Sequence, residues 1–280
     1  MILKLARRCY SVWIDIYDFL TSKIYEISLG DIMLKRANID SCQFTTATRL
    51  LDVKHYFETG EIDFPYQNNV SKMMWGEKHD EERGNRSFVQ LIKSYEKNGY
   101  NNSLLEVSSK LVLLNGTHRV ACSIFFKYNN IRVKRFCRAF AINDIPFKQL
   151  ELGLSPTFVK EVLSEFDKMQ DYLINTGNTF VILVTDSIYS IIDAEIRYLV
   201  NVLRVASYVS REKHIIYNGK LIQFSLPNPN YTVSPNGKII SLYAAELSKS
   251  YSKRFKDSII ISKSCLEGKC LFDSIDILMN

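Results

Sequence analysis

The residues best suited to chemistry are Gly116, Thr117, His118 and Arg119, which follow Asn115 in the stretch NGTHR. Apolar residues before them predict a short strand, and VACSIFF after them predicts a helix that begins at Thr117. The first amides of a helix have no internal partner and bind anions, and a glycine lets the backbone approach a phosphate closely. The histidine and arginine add donors and charge. The turn therefore predicts a phosphate site, although the bare motif is more often an ordinary capped helix start.

A run of charge lies upstream of this turn, in the stretch WGEKHDEERGNR. Its carboxylates suit two tasks, the deprotonation of an alcohol and the binding of Mg²⁺. The candidate bases are Glu77, Glu81 and Glu82, together with His118 from the turn. The candidate Mg²⁺ ligands are Glu77 and Asp80. The alternative interpretation is a solvated loop whose charges have no catalytic task.

Further candidates lie in or near the same run. Arg83 and Arg86 are suited to clamp phosphates, because guanidinium donors pair with phosphate oxygens. His79 is another candidate base, and Asp63 is expected to line the same cleft. Asp186 follows the apolar run FVILVT, where either a functional carboxylate or a helix cap is expected. The basic stretch RVKRFCR favours a solvated edge strand over a surface for a polyanion.

These residues must be positioned by helices and strands, and the order of the predicted elements indicates an α/β (α+β) chain in three parts. Residues 1–50 form a helical segment, residues 51–150 a domain that carries the turn, and residues 151–280 a smaller α/β portion. The patterns predict helices ending at Gly60 and covering 86–99, 117–128, 155–176 and 191–210, with strands within 103–115, 131–140 and 178–187. Residues 65–85 lack a hydrophobic period and predict a polar loop.

Composition excludes several classes of protein. The chain has 280 residues, 46% of them hydrophobic and 24% charged, which is typical of a folded domain rather than a disordered chain. The net charge of +6 suits a partner that carries phosphates without requiring nucleic acid. Six cysteines without a CxxC pair predict reduced thiols in a cytoplasmic protein, not a disulfide framework or a zinc site.

The first 27 residues carry apolar side chains at helical spacing, with basic residues at one end. Two acidic residues interrupt the apolar run, so neither a signal peptide nor a bilayer-spanning helix is predicted. A helix lying on a membrane surface and a helix docked on the domain or on a partner chain both remain open. The docked helix is favoured, since such helices are far more common.

The stretch FVQLIKSYEKNGYNNSLLEV followed by LLNGTHRVACSIFF resembles the ParB/sulfiredoxin-like superfamily over roughly residues 55–140. Its members share a helix ending in NG, a strand, a Gly-containing turn with His-Arg or Arg-Arg, and a second helix. The turn is most similar to that of free-serine kinases, which carry Asp-Gly-His-His-Arg. Thr117 stands where sulfiredoxins have their cysteine, which argues against sulfinic acid repair, and Asn115 stands where the kinases have an acid.

The resemblance implies a nucleotide-binding domain in residues 51–150 and an ATP- or ADP-dependent phosphotransferase. Residues 115–119 would then hold the phosphates with Mg²⁺, and the acceptor would be a hydroxyl of a small molecule or glycan. A composition typical of an A/T-rich genome, together with this turn motif and a variable second domain, resembles proteins of bacterial surface-polysaccharide gene clusters. One alternative is a ParB-like DNA-binding module, which predicts a basic helix-turn-helix. The acidic helix 155–175 makes nucleic acid an unexpected partner. Another alternative is a non-catalytic accessory protein.

Overall fold

The computed structural model describes residues 22–35, 39–76, 80–99, 104–137, 146–212, 215–227 and 230–278. Its helices are α1 (Leu29–Met33), α2 (Ser41–Thr59), α3 (Pro65–Trp75), α4 (Glu81–Asn98), α5 (Thr117–Phe125), α6 (Phe147–Gly153), α7 (Pro156–Asn175), α8 (Asp186–Leu199), α9 (Leu242–Phe255) and α10 (Cys265–Asp273). Its strands are β1 (Lys23–Ser28), β2 (Leu105–Val107), β3 (Leu113–Asn115), β4 (Asn130–Arg135), β5 (Phe180–Val184), β6 (Asn201–Ser210), β7 (Asn218–Ser225), β8 (Tyr231–Val233), β9 (Ile239–Ser241), β10 (Ile259–Ile261) and β11 (Ile275–Leu278). The prediction of an α/β (α+β) chain is confirmed.

The strands form two main sheets. The first has the order β1-β4-β2-β3, in which β2 and β4 run parallel and the other neighbours run antiparallel. The second has the order β10-β5-β7-β6-β11 and is antiparallel throughout. β8 and β9 make a separate two-stranded ribbon. The turn of interest lies at the end of β3, on the edge of the first sheet.

Helix α2 is the central helix of the first half. Asp40 and Gln43 form a capping box at its start, and Gly60 ends it in the left-handed conformation with φ 77°. Helices α3, α5, α6 and α7 all pack against it. Because neighbours surround α2, it buries polar residues such as Thr48, Arg49 and Asp52 as well as apolar ones.

One hydrophobic core includes residues of both sheets. Ser28 Oγ donates to Asn178 Oδ1 at 2.5 Å, and the Cys265 amide donates to Asp31 at 3.3 Å, so β1 and α1 are bound to the second half. Residue 50 lies inside α2, and β1 shares a sheet with β4, which follows later in the chain. The division near residue 150 stays a prediction.

Three sequence-based assignments are wrong. Residues 65–75 form α3 instead of a loop, with Pro65 at the first helical position. The helix predicted over 191–210 ends at Leu199, and β6 follows because β-branched residues after it pair with β7. Residues 23–28 form a strand that pairs with β4, whereas residues 1–21 of the helix predicted there lie outside the described part of the chain.

The expectation of an edge strand for the stretch RVKRFCR is wrong as well, because β4 pairs with β1 on one side and with β2 on the other. The following elements agree with the sequence patterns. The structure confirms two helices that end at glycines, Gly60 and Gly99, and the helix that begins after Ser155. It also confirms the two short strands before Gly116. The Ser155 hydroxyl accepts from the Phe158 amide, as an N-cap does. No helix within the described residues is long and apolar enough to cross a bilayer.

Candidate active site

Gly116 joins β3 to α5 with a φ of 114°. A Cβ at this position would lie 2.4 Å from Leu105 Cδ2, so only glycine fits the turn. The first helical bond runs from the Val120 amide to the Gly116 carbonyl at 3.0 Å, and no side chain caps the helix. The amides of residues 117–119 are therefore at the positive end of α5 without a side-chain acceptor among the described residues, which is the arrangement that favours an anion.

His118 is directed into the protein. Its Nε2 lies 2.7 Å from Gln67 Oε1, and its ring packs edge-on against Phe88 with centroids 4.5 Å apart. Burial, with smaller contributions from Arg49 and Arg119, lowers the pKa of His118 to about 3. The imidazole is thus neutral at neutral pH, and Nε2 donates to the Gln67 carbonyl oxygen. This contact orients the start of α5.

Arg119 also makes an inward contact. Its Nη1 donates to the Leu104 carbonyl at 2.7 Å and lies 3.7 Å from the place a Gly116 Cβ would occupy. The guanidinium charge therefore lies directly beside the turn. On the other side, Asn115 Nδ2 donates to Glu106 Oε2 at 3.3 Å, because Glu106 and Asn115 are paired in the β2–β3 register. A carboxylate thus contacts the turn even though position 115 holds an amide.

A buried polar network lies beneath the turn. Asp52 on α2 accepts the amides of Tyr66 at 3.0 Å and Gln67 at 2.7 Å, so it caps α3 from a neighbouring helix. Burial raises the pKa of Asp52 to about 7, and these two amides oppose the rise. Gln67 Nε2 donates to Asn85 Oδ1 at 3.0 Å, and Asn85 Nδ2 donates to the Asp63 carbonyl at 3.0 Å. The network connects α2, α3, α4 and the loop before α3.

Arg49 adds a buried cation to this network. Its Nη1 donates to the Thr45 carbonyl and the Thr48 hydroxyl, and burial lowers its pKa to about 10. Its Nε lacks a partner among the described residues. Asp52 is its nearest opposing charge and partly offsets the cost of burying the guanidinium.

The charged run before α4 has mainly local contacts. Asp80 is the N-cap of α4 and accepts from the Arg83 amide at 3.0 Å. Glu81 pairs with Lys72 at 2.7 Å, and the Arg83 side chain is exposed. The candidates Glu77 and His79 lie outside the described residues. The Asp80 and Glu81 carboxylates are thus used in capping and in an ion pair.

An open cleft lies between the start of α4 and the loop after α2. It is lined by Gly60, Glu61, Ile62, Asp63, Glu82, Asn85 and Arg86. Glu82 and Arg86 come from the predicted run and lie 3.9 Å apart, and Asp63 lines the same cleft. Asn85 links the cleft to the turn, since Asn85, Gln67 and His118 are joined by two hydrogen bonds.

The weaker candidates lie apart from this cleft. Asp186 is the first residue of α8 and lies 3.9 Å from Lys220, while Thr185 takes the capping position. Arg135 donates to the carbonyl oxygens of Ser109 and Tyr231, so it supports the β2–β3 turn and β8.

Sequence reasoning missed Asp52, Gln67, Asn85 and Glu106. The sequence gives no clear signal for Asp52, because the helix that carries it buries polar residues such as Thr48 and Arg49 beside its apolar ones. Glu106 alternates with the buried residues Leu105 and Val107, and this pattern by itself predicts only a solvated strand residue.

Comparisons with known proteins give little guidance. No protein-family model matches the chain, and no curated protein matches it. A solved structure described as a Pnob8-like ParB-N domain matches over 89% of this chain and 67% of its own, with 10% identity and a TM-score of 0.23.

Proposed function

We propose that the chain is a phosphotransferase that binds ATP or ADP with Mg²⁺ at the start of α5 and acts on a hydroxyl of a small molecule or glycan. The observation that carries this proposal is the Gly116 turn, where no described side chain caps the α5 amides. The resemblance of NGTHR to the free-serine-kinase turn supplies the reaction class.

The residues around the turn fit a phosphate group. Gly116 supplies the positive φ that the turn requires, and Arg119 adds positive charge beside it. Thr117 is half-buried and offers a hydroxyl at the first helical position. Glu106 fits a Mg²⁺ ion bound to the same phosphates, because carboxylate oxygens are the protein ligands that Mg²⁺ prefers.

Two carboxylates are suited to receive the proton of an acceptor hydroxyl. Glu106 contacts the turn, and Glu82 lines the adjoining cleft. The nucleotide would supply the phosphoryl group, whereas the protein positions the acceptor and takes up its proton. Arg86 in the cleft would oppose negative charge that develops on the acceptor. His118 is the poorest base of the predicted set, because its Nε2 is bonded to Gln67 and its imidazole resists protonation.

The sharpest test places a negative charge at the turn without disturbing the core. In Thr117→Glu the new carboxylate lies in the first turn of α5, where it favours the helix but repels a phosphate. Thr157→Glu makes the same change at an exposed position in the first turn of α7 and is the matched control. His118→Ala is less informative, since it removes the Gln67 and Phe88 contacts.

Calorimetry with ATP, ADP and CTP, each with Mg²⁺, measures the outcome. We expect one nucleotide to bind the wild type and Thr157→Glu equally, and Thr117→Glu to lose at least about tenfold in affinity, or about 1.4 kcal/mol. An acceptor screen with Glu106→Gln and Glu82→Gln then separates the two bases. Failure of every nucleotide to bind the wild type contradicts the proposal and favours an accessory protein.

The DNA-binding alternative predicts a basic helix-turn-helix after the nucleotide domain. Helix α7 is followed by β5 of the second sheet, and its carboxylates Glu161 and Glu165 contact Tyr66 and Lys54 at 2.5 Å each. Nothing in the described part of the chain specifically favours this alternative.

A further inference from the structure

We propose that His55, Glu61 and Asp63 form a binding site for a divalent transition-metal ion such as Zn²⁺ or Mn²⁺. This site differs from the Mg²⁺ ligands predicted from the sequence, Glu77 and Asp80. It also goes beyond the proposed phosphotransferase, because it needs no nucleotide.

The three side chains converge on one point. His55 Nε2 lies 3.2 Å from Asp63 Oδ1 and 3.5 Å from Glu61 Oε2. One ligand atom from each residue falls within 4.8 Å of the others. Ligand atoms of a metal ion at about 2.0–2.2 Å are separated by distances of this size after a small adjustment. A single ion therefore fits among them.

The chain holds these ligands in place through its backbone. Gly60, with φ 77°, reverses the chain after α2 and returns Glu61 and Asp63 to the side of His55. The Asp63 carbonyl accepts from Asn85 Nδ2 at 3.0 Å and also from Asn68 Nδ2. Two amide side chains thus fix the backbone of one ligand from inside the protein.

Asn68, which contacts the backbone of one ligand, has a buried oxygen without a hydrogen-bond donor among the described residues. The residue is only 8% exposed, and its Oδ1 has no hydrogen-bond partner within the described residues. Nδ2 of the same amide donates to the Asp63 carbonyl, so this acceptor belongs to a residue that contacts the backbone of one ligand. A water bound to a metal ion is a donor of the kind that a buried unpaired acceptor needs.

The chemistry of the ligands selects the class of metal. An imidazole nitrogen favours Zn²⁺ and similar transition-metal ions, and the two carboxylates also suit Mn²⁺, whereas Mg²⁺ takes almost only oxygen ligands. Glu61 and Asp63 also line the open cleft with Glu82 and Arg86, so the remaining coordination positions would face it. Three protein ligands with open positions are typical of a metal that binds water or substrate.

The competing explanation is that His55 only contacts the two carboxylates at the end of α2 and that no metal ion binds there. The same distances would result. The two explanations differ in their response to metal ions. Bound metal excludes the proton from Nε2, so metal affinity falls at acidic pH.

Equilibrium dialysis of the full chain against Zn²⁺, Mn²⁺, Co²⁺ and Mg²⁺ tests the site, with the metal content measured per chain. The variants are His55→Gln, Glu61→Gln and Asp63→Asn, and the control is Glu246→Gln, an exposed carboxylate on α9. Glu61 has a side chain 66% exposed, so its substitution leaves folding intact and keeps the test valid if the other variants are unstable. The visible spectrum of bound Co²⁺ gives a readout independent of any activity.

We expect one transition-metal ion per chain in the wild type and in Glu246→Gln, with Mg²⁺ failing to displace it. Each ligand variant should lose at least about tenfold in affinity and change the Co²⁺ spectrum. Absence of binding to the wild type overturns the proposal and leaves only the contacts of His55 with the two carboxylates. Equal binding by Glu61→Gln and the wild type overturns it as well.

Discussion

Asp52→Asn is expected to reveal two opposing titrations in the buried network. Asp52 is fully buried, and burial raises its pKa from 3.8 to about 7. His118 lies in the same network, and burial lowers its pKa from 6.5 to about 3. The substitution makes position 52 neutral at every pH but keeps one acceptor for the α3 amides.

The signs of the two effects are opposite. Folded Asp52 binds its proton more tightly than unfolded Asp52, so its contribution is greatest below about pH 4 and is lost as the pH rises to about 7. Folded His118 resists protonation, so its contribution is present above about pH 6.5 and is lost as the pH falls to about 3. One pKa unit corresponds to 1.36 kcal/mol, so the raised pKa of Asp52 corresponds to about 4 kcal/mol and the lowered pKa of His118 to about 5 kcal/mol.

The wild type should therefore show little change in free energy of unfolding between about pH 4 and about pH 6.5, because the two slopes cancel. Asp52→Asn should gain about 1.4 kcal/mol per pH unit over this range, since only His118 remains. Urea unfolding at several pH values measures both profiles, with Asp167→Asn, an exposed change on α7, as control. Parallel profiles for Asp52→Asn and the wild type would refute the reasoning.

Two further predictions concern glycines. Gly116→Ala should cost about 3 kcal/mol, because its φ is positive and the new Cβ would meet Leu105, whereas Gly60→Ala has a positive φ but open space and should cost only about 1 kcal/mol. Urea unfolding that gives equal costs would contradict the role of Leu105. Gly30→Ala should destabilise the protein by about 3 kcal/mol or more, since its Cβ would lie 1.8 Å from the Asn178 carbonyl oxygen. An unchanged unfolding midpoint would show that the two halves are not packed here as described.

Elements with local signals were predictable. The Asn-Gly step before Thr117, the Ser155 cap and the stop at Gly60 each depend on neighbours within a few residues. These signals do not require knowledge of the tertiary structure. The hairpin of β2 and β3 and the start of α5 were accordingly assigned well from sequence.

The sequence does not predict helix α3, because most of its buried residues are polar. Gln67, Asn68 and Ser71 are each at most 8% exposed, and Gln67 belongs to the network beneath the turn. A hydrophobic period is absent where amides and hydroxyls take the inward positions. Only the partners on α2 and α4, which lie far away in sequence, explain why these residues are inside.

The candidate site also has features that depend on partners distant in sequence. The sequence placed His118 and Arg119 at the start of a helix, which is where they lie. It could not reveal that the imidazole contacts Gln67 and Phe88, because those contacts depend on how α3 and α4 pack against α5. Local patterns locate a turn, whereas the direction of its side chains is a tertiary property.

The contact between α1 and α10 has a consequence for synthesis of the protein on the ribosome. Asp31 receives the Cys265 amide, which is 234 residues later in the chain. At about 5–20 residues per second, roughly 12 to 47 seconds separate the translation of the two residues. Throughout that interval β1 and α1 must wait beside an incomplete chain, with buried residues such as Leu29 and Met33 lacking part of their final surroundings. The nascent protein is therefore expected to be a substrate for chaperones that bind apolar segments.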